Sequence, residues 1–211
     1  MSGKSRDAAD PAAFWDERYA TSDYVFGTEP NTWLTANEGS LKAGMTALVP
    51  GDGEGRNGVW LAERGLTVTS VDASPLGVEK ARKLAAQRGV TIDIICADLR
   101  DWQAPDATYD IAVLAFLHLG AADRTALHQK IAATLKPNGY LILEGFTPDH
   151  LAFGKGGPKV ESMMFTEHRL RSDFTELDVL QIEALEVELP ASGRHGGRAA
   201  VIRLLARKPK P

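Results

Sequence analysis

The sequence predicts an α/β fold whose mostly parallel, doubly wound sheet ends in a C-terminal antiparallel hairpin. Apolar runs alternate with helical patterns between residues 46 and 143, an order that gives parallel strands with right-handed crossovers. The first run leads through a glycine-rich turn into a helix. Near the C-terminus, Ser192-Gly-Arg-His-Gly-Gly197 separates two strand-like runs, which is typical of a hairpin.

Periodicity and capping residues predict the individual elements. Asp10-Pro11 and Ser74-Pro75 each place a cap and a proline at a helix start. Pro30 predicts another helix start, with Thr28 or Glu29 as its cap. Strands are predicted at about 46–49, 67–71, 92–96, 109–116, 140–143, 177–189 and 199–206, and further helices after Arg56 and at about 122–135 and 166–173.

Composition narrows the class of protein. A length of 211 residues fits one domain with a full core, and no apolar run is long enough to cross a membrane. Residues 1–10 are polar and lack the apolar centre of a signal peptide, so we expect a disordered tail. The single cysteine, Cys96, excludes an internal disulfide and fits a reducing cytoplasm. A net charge of −4 without a basic stretch argues against a general nucleic-acid binder.

The glycine turn fits two kinds of nucleotide site. Gly53-Glu-Gly55-Arg-Asn-Gly58 matches the G-x-G-x-x-G pattern of dinucleotide-binding proteins, in which glycines let the backbone approach a ligand closely. Gly51-Asp-Gly53-Glu-Gly55 also spells G-x-G-x-G, the glycine loop of class I methyltransferases. Asp72, at the end of the next strand, suits either template, because a carboxylate there can accept hydrogen bonds from ribose hydroxyls. A tight turn without a ligand is the third alternative.

Motifs along nearly the whole chain resemble a known family. They are Phe14–Tyr19, Phe26–Asn31, the glycine loop, Val71–Ser74, Ala97–Leu99, Leu135–Leu141 and the C-terminal hairpin. In this order and spacing they resemble the class I S-adenosylmethionine-dependent methyltransferases, and within them the branch of the tellurite-resistance and thiopurine methyltransferases. The resemblance implies a Rossmann-like fold and S-adenosyl-L-methionine as cofactor.

The resemblance also implies a role for each residue that matches the family's motifs. The backbone of the loop glycines would hold the methionine part of the cofactor, Asp72 the ribose, and Ala73, Asp98 and Leu99 the adenine. Two residues after the fourth strand would line the sulfonium pocket. The implied cofactor-binding residues are Gly51, Gly53, Gly55, Asp72, Ala73, Asp98, Leu99, Ala115 and Phe116. Val49 departs from the family, which usually has an acidic residue at that position.

The same resemblance divides the chain by function within a single domain. A tail at residues 1–10 would precede lid helices at 11–40, a cofactor-binding core at 41–145, and a substrate loop with the C-terminal hairpin at 146–211. The lid region is rich in aromatic residues, which either pack on the core or cover a flat or cationic ligand. The long loop after residue 146 contains several glycines and is typical of a second lid.

The predicted acceptor is a small, soft nucleophile such as a thiol, a thiopurine-like compound or a chalcogen oxyanion. Such a nucleophile needs no strong base, but an anionic one needs cations nearby. Arg194, His195 and Arg198 in the hairpin could supply them, and His195 is the best candidate for a base because its ordinary pKa lies near neutrality. The alternative is a solvated hairpin tip whose charges have no catalytic role.

Two other functional classes stay open at this point. A nicotinamide-dependent oxidoreductase would explain the glycines and Asp72, although not Ala97–Leu99 or the hairpin. A non-catalytic cofactor-binding protein is also compatible with the motifs. The five histidines are scattered, so no metal site is predicted, and we expect Asp110, His118 and His128 to have structural or solvated positions. We expect the protein to be a monomer or weak homodimer and to bind neither nucleic acid nor membranes.

Overall fold

The computed structural model describes residues 10–154, 156–192 and 195–210, and it confirms the predicted fold class. Seven strands form one sheet in the order β3-β2-β1-β4-β5-β7-β6. The first five strands run parallel, and β7 is antiparallel to both of its neighbours. The strands are β1 (Thr46–Pro50), β2 (Thr67–Asp72), β3 (Asp93–Cys96), β4 (Tyr109–Ala115), β5 (Leu135–Phe146), β6 (Asp178–Ser192) and β7 (His195–Arg207).

Helices connect these strands, and short 3₁₀ turns occur at Glu38–Ser40, Pro148–Phe153 and Glu161–Met163. Asp10 caps the first helix as predicted, with its side chain accepting a hydrogen bond from the Ala13 N–H. Ser74 likewise caps the fourth. The helices are α1 (Pro11–Tyr19), α2 (Thr32–Ala36), α3 (Arg56–Glu63), α4 (Pro75–Arg88), α5 (Ala121–Thr134) and α6 (Glu167–Asp173).

The start of α2 differs from the prediction. Neither Thr28 nor Glu29 is its cap; Asn31 is, because its side-chain oxygen accepts hydrogen bonds from the backbone N–H groups of Trp33 and Leu34, each at 3.0 Å. Pro30 therefore precedes the helix and does not begin it. Its neighbour Asn31 has an extended backbone, so the helix cannot include the proline.

Strand β5 is longer than predicted because it follows α5 without a loop. Leu135 already pairs with Tyr109, and regular pairing with β4 resumes at Tyr140 after an irregular stretch. Within that stretch Asn138 has a φ of +65°, a conformation that asparagine tolerates better than most residues. The Pro137-Asn138-Gly139 sequence is therefore an irregularity inside the strand, and α5 ends before it at Thr134.

Apolar side chains cover both faces of the sheet. On one face α5 and α6 contribute Leu127, Ile131 and Leu170 to the larger core cluster, and Phe174, which directly follows α6, joins them. On the other face α2 and α3 contribute Trp33, Leu34, Trp60 and Leu61 to a second cluster. Burial on both faces explains why the central strands are continuous apolar runs, and it leaves the strand ends as the place for a polar site.

The remaining polar residues considered above have structural positions. His118 is partly buried: one ring nitrogen lies 2.9 Å from the Met163 carbonyl, and the other accepts the Phe146 N–H. Burial lowers the pKa of His118 to about 4, so the ring is neutral near pH 7. His128 and Arg124 both contact the buried carboxylate of Asp173. Asp110 binds Thr46 and Lys136 at the start of its strand.

Candidate functional site

The sheet order places a crevice at the carboxyl ends of β1 and β4. From β1 the chain continues through β2 and β3 toward one edge of the sheet, and from β4 it continues through β5 toward the other edge. Open parallel sheets bind ligands at such a switch point. Strand β7 overhangs this edge, because Val201 pairs with the last residue of β5 and residues 195–200 extend beyond it. The crevice is thus bordered by the loops after β1–β4 and by the hairpin.

The glycine loop after β1 has a backbone that needs glycine. Gly51, Gly53 and Gly55 have φ values of +68°, +59° and +89°, which side chains disfavour. A Cβ atom at Gly53 would collide with the hydroxyl of Tyr19 in α1, and one at Gly55 would lie 2.7 Å from the Cβ of Ala81 in α4. The loop is therefore enclosed by α1 and α4, with no room for side chains at these two positions.

Asp72 is tied directly to the glycine loop. One carboxylate oxygen accepts the Gly53 N–H at 2.8 Å, and the other accepts the Ser74 N–H at 2.9 Å. Burial of the carboxyl raises its pKa to about 6, which these two hydrogen bonds oppose. The structure thus brings together two of the predicted cofactor-binding elements at the crevice.

The predicted adenine residues follow β2 and β3. The Ala97 N–H binds the Asp72 carbonyl at 2.9 Å, so the loop containing Asp98 and Leu99 lies beside the loop containing Ala73. The Asp98 carboxylate receives hydrogen bonds from the Arg100 guanidinium, the shortest of which is 2.6 Å. This contact holds the pKa of Asp98 below its usual range. Leu99 is buried, so its side chain is part of the core as well as of the loop.

The fourth strand ends in an unusual conformation. Phe116 has a φ of +56°, and its N–H donates to the Glu144 carbonyl at 2.7 Å. A bulky residue with positive φ is strained, and such residues concentrate at functional sites. The ring of Phe116 lies 4.7 Å from that of Phe146, measured between centroids. With Ala115, this turn forms the part of the crevice that faces the hairpin.

The side chains between the loop glycines bind the N-terminal segment, a role the sequence analysis missed. Glu54 is buried, and its two carboxylate oxygens accept the backbone N–H groups of Val25 and Phe26 at 3.0 and 3.2 Å. The Lys80 ammonium lies 2.8 Å from the same carboxylate. Arg56 donates to the Phe26 carbonyl at 3.3 Å. Residues 24–31 are therefore held on the loop, and we name them the lid segment.

The other end of the lid segment is held by a second buried network. The Asn31 N–H donates to the side chain of Asn57 at 2.9 Å, and its amide donates to the Glu144 carboxylate at 2.6 Å. The second oxygen of Glu144 accepts from Arg203 of β7 at 2.7 Å. The network therefore joins the lid segment, α3, β5 and β7. The motifs Phe26–Asn31 and Gly53–Gly58 are both visible in the sequence, but nothing in a single sequence shows that they touch.

Position 49 lacks the acidic residue that is usual in the family, but Asp52 provides a carboxyl group close by. Val49 is fully buried in the core. Asp52, three residues later, accepts hydrogen bonds from the Ser70 hydroxyl at 3.0 Å and from the Gly58 N–H at 3.2 Å. Burial raises the pKa of Asp52 to about 6. The Asp52 carboxyl, which belongs to the loop, therefore links the loop to β2 and to α3.

Of the three hairpin cations predicted above, Arg198 is the one whose side chain lies within the described part of the chain. Arg198 forms an ion pair with Glu186, its side chain is 67% exposed, and its Cζ atom lies 5.4 Å from the centroid of the Phe153 ring. His195 begins β7 at the overhanging edge, but its side chain lies outside the described residues, as does Arg194. Leu185, Val187 and Leu189 pack beside Phe116, Phe146, Ala199 and Val201 below the tip.

Within the described ranges, no group of three or more His, Cys, Asp or Glu side chains could hold a metal ion. Among the same residues, no helix is both long enough and apolar enough to cross a membrane.

Replacing Glu54 tests whether the glycine loop holds the lid segment. Glu54→Ala leaves two backbone N–H groups and the Lys80 ammonium without their carboxylate, and we expect a loss of about 3 kcal/mol in the free energy of unfolding. Urea denaturation measures it. Glu79→Ala on α4, which removes an exposed ion pair with Lys83, is the matched control with an expected loss below about 0.5 kcal/mol. Equal losses in the two variants would contradict the assigned role.

The raised pKa of Asp52 predicts a pH-dependent difference between wild type and Asp52→Asn. An ordinary aspartate has a pKa near 3.9, so between about pH 4 and 6 the folded protein binds a proton that the unfolded chain does not. Wild-type stability from this group therefore falls as pH rises through that window. The variant should gain on the order of 1–2 kcal/mol relative to wild type between pH 4.5 and 6.5.

Denaturant titrations across that pH range measure the difference without the cofactor. Asp98→Asn serves as control, because the pKa of Asp98 is lowered and its contribution is constant above pH 4.5. A flat difference for Asp52→Asn would show that Asp52 is charged throughout the range.

Comparison with known proteins gives three results. Residues 47–139 match the model of a family described as a methyltransferase domain. Carboxy-S-adenosyl-L-methionine synthase of Shewanella loihica is 38% identical over 82 residues, which are 38% of this chain and 34% of that protein. The synthase of Geobacter metallireducens is 27% identical over 118 residues, covering 54% and 47%. The chain thus spans about a third to a half of the length of these relatives.

Solved structures share the fold at low sequence identity. The N-methyltransferase NodS from Bradyrhizobium japonicum, solved with S-adenosyl-L-homocysteine, has a TM-score of 0.72 at 14% identity and covers 95% of this chain and 100% of its own. TehB from Haemophilus influenzae has a TM-score of 0.69 at 19% identity, covering 94% and 67%. Residues 47–139, which match the methyltransferase-domain model, hold the glycine loop and Asp72, and the fold of the chain is shared with NodS and TehB.

Proposed function

We propose that this protein is an S-adenosyl-L-methionine-dependent methyltransferase that methylates a small, soft nucleophile. The observation that carries the proposal is the enclosed glycine loop, bound to Asp72 on one side and covered by the lid segment on the other. It lies inside the region that matches the methyltransferase-domain model. The matched carboxy-S-adenosyl-L-methionine synthases are named after a derivative of the cofactor. This supports S-adenosyl-L-methionine as the ligand of the site, but it does not favour any one reaction.

The cofactor would lie along the carboxyl ends of β1–β4. Gly51, Gly53 and Gly55 would carry its methionine part, Asp72 and Ala73 its ribose and the edge of the adenine, and Asp98 and Leu99 the rest of the base. Ala115 and Phe116 would border the sulfonium. The bound cofactor supplies an activated methyl group for in-line displacement, so the protein's tasks are to orient the two reactants and exclude water. The lid segment and its two buried networks serve both tasks.

The acceptor would lie between Phe116 and the overhanging hairpin. The apolar side chains of β6 and β7 beside Phe116 would suit the body of a thiol or thiopurine-like compound. His195, Arg194 and Arg198 at the hairpin would provide a base and positive charge for an anionic acceptor such as selenite or tellurite. The likeness to TehB supports the tellurite-resistance branch. We further propose a cytoplasmic monomer or weak homodimer with no nucleic-acid or membrane partner.

A nicotinamide-dependent oxidoreductase fits the site less well. It would use the glycines and Asp72 but leave the Ala97–Leu99 loop and the hairpin without a role, and the family model that covers the glycine loop is that of a methyltransferase domain. A non-catalytic cofactor-binding protein would keep the same cofactor site, so only turnover separates it from a methyltransferase.

Turnover on a panel of acceptors tests the proposed reaction. We expect methyl transfer from S-adenosyl-L-methionine to at least one thiol, thiopurine or selenite. His195→Ala and Arg198→Ala should lower kcat/KM about 10- to 1,000-fold, in the range typical of a lost acid–base or charge-stabilising group. The cofactor dissociation constant should stay within about twofold, a change of only ~0.4 kcal/mol.

Arg171→Ala, which removes an exposed arginine paired with Glu167 on α6, is the matched control and should keep full activity. Unchanged turnover in both hairpin variants would place the hairpin cations outside the site. Absence of turnover on the whole panel, with the cofactor bound, would favour the non-catalytic alternative.

A further inference from the structure

Glu144 joins three parts of the crevice. It is 1% exposed and lies in β5 between Ala115 of β4 and Arg203 of β7 in the register of the sheet. One carboxylate oxygen accepts the side-chain amide of Asn31 in the lid segment at 2.6 Å, and the other accepts the Arg203 guanidinium at 2.7 Å. Its backbone carbonyl accepts the N–H of Phe116 at 2.7 Å. A single residue thus contacts the lid segment, the hairpin strand and the turn after β4.

The hairpin strand also contacts α2, which directly follows the lid segment. Arg203 donates to the Thr32 hydroxyl at 3.4 Å, and its Cζ atom lies 5.4 Å from the centroid of the Trp33 ring. The Trp33 indole N–H donates to the Leu204 carbonyl at 3.2 Å. Glu144 is therefore the centre of a polar connection between β7 and the end of the lid segment.

Both partners of the Glu144 carboxylate are donors. The side-chain oxygen of Asn31 already caps α2 by accepting from Trp33 and Leu34, so the nitrogen of the amide faces Glu144. An arginine side chain has donors only. A carboxylate satisfies both partners, whereas a glutamine in its place would accept from one and present a donor to the other. The network therefore needs an acid at position 144.

Fold stability alone does not explain a buried acid at this position. A buried ion pair loses hydration, and well-packed apolar side chains of similar volume are often equally stabilising or more so. A hydrogen-bonded ion pair differs from an apolar contact because it fixes the distance and direction of its partners. Glu144 therefore contributes a defined position of the lid segment relative to β7.

We propose that Glu144 is a positioning residue, which fixes the lid segment over the cofactor by connecting Asn31 to β7. The inference rests on the proposed function, since it needs the cofactor between the glycine loop and the lid segment. Glu144 acts through Asn31 and not by contact with either reactant. A loosened lid segment should let the cofactor leave faster. The same connection holds the cover of the cofactor against the strand that carries the hairpin cations.

Glu144→Gln tests the proposal in calorimetric titrations with two ligands. The variant keeps the shape of the side chain but accepts from only one of its two partners. It should weaken S-adenosylhomocysteine binding about 5- to 50-fold, as expected when a buried hydrogen bond is lost, and the loss should appear in the dissociation rate. Adenosine lacks the methionine part that the lid segment would cover, so its affinity should stay within about twofold of wild type.

An exchange of donor and acceptor separates positioning from a general disturbance of the site. In the double variant Asn31→Asp/Glu144→Gln, the new aspartate still caps α2 and accepts from the new glutamine, whose oxygen accepts from Arg203. This variant should recover S-adenosylhomocysteine affinity to within about threefold of wild type. Asn31→Asp alone places two carboxylates face to face and should bind this ligand more weakly than wild type.

Glu176→Gln is the matched control, because it removes an exposed ion pair with Lys208 just beyond the end of β7 and should bind both ligands as wild type does. Urea denaturation of the free variants measures the structural effect separately. A Glu144→Gln variant that is less stable but binds S-adenosylhomocysteine normally would overturn the proposal, as would an equal loss of adenosine or a double variant that recovers nothing. A wild-type protein that binds neither ligand would overturn the proposed function as well.

Discussion

The backbone of the glycine loop is the constraint on which the site depends. Its positive φ values allow α1 and α4 to approach to contact distance, and its Gly53 N–H binds Asp72. No side chain fits at Gly53 or Gly55, and the side chains of the neighbouring Glu54, Arg56 and Asn57 reach the lid segment. One short loop thus fixes both the floor of the crevice and its cover.

Buried charge is the second feature of the crevice. Asp52, Glu54, Asp72 and Glu144 are all buried within or beside it, and burial raises the pKa of both Asp52 and Asp72. Each carboxylate is held by backbone N–H groups or cations, which offset part of the desolvation. An acidic, poorly hydrated crevice attracts a cationic ligand, and this property fits the sulfonium of the proposed cofactor.

Much of the fold follows from the sequence because its signals are local. The order of apolar runs, the aspartate and serine caps and the hairpin each depend on neighbouring residues. Strands β1–β4 begin and end within about two residues of their predicted bounds. The errors arise where a contact with another part of the chain overrides a local signal. Asn31 caps α2 in place of Thr28 or Glu29. Strand β5 begins at Leu135, five residues before the predicted start, because Leu135 already pairs with Tyr109 of β4.

The candidate site is less predictable because its contacts join distant parts of the chain. The glycines and Asp72 form a pattern within 22 residues, so the sequence alone indicates them. The contacts of Glu54 with Val25 and of Glu144 with Asn31 span 29 and 113 residues, and such pairs leave no periodic signal. The hairpin shows the same limit, since a run of Arg and His gives no sign that Arg198 pairs with Glu186.

Hydrogen exchange with and without ligand tests most directly whether the cofactor lies on the glycine loop under the lid segment. S-adenosylhomocysteine should slow amide exchange in residues 51–57 and in residues 24–31 together, because the same side chains connect the two segments. NADH at the same concentration should leave both segments unchanged. Protection by NADH, or protection by S-adenosylhomocysteine that spares the lid segment, would contradict the account.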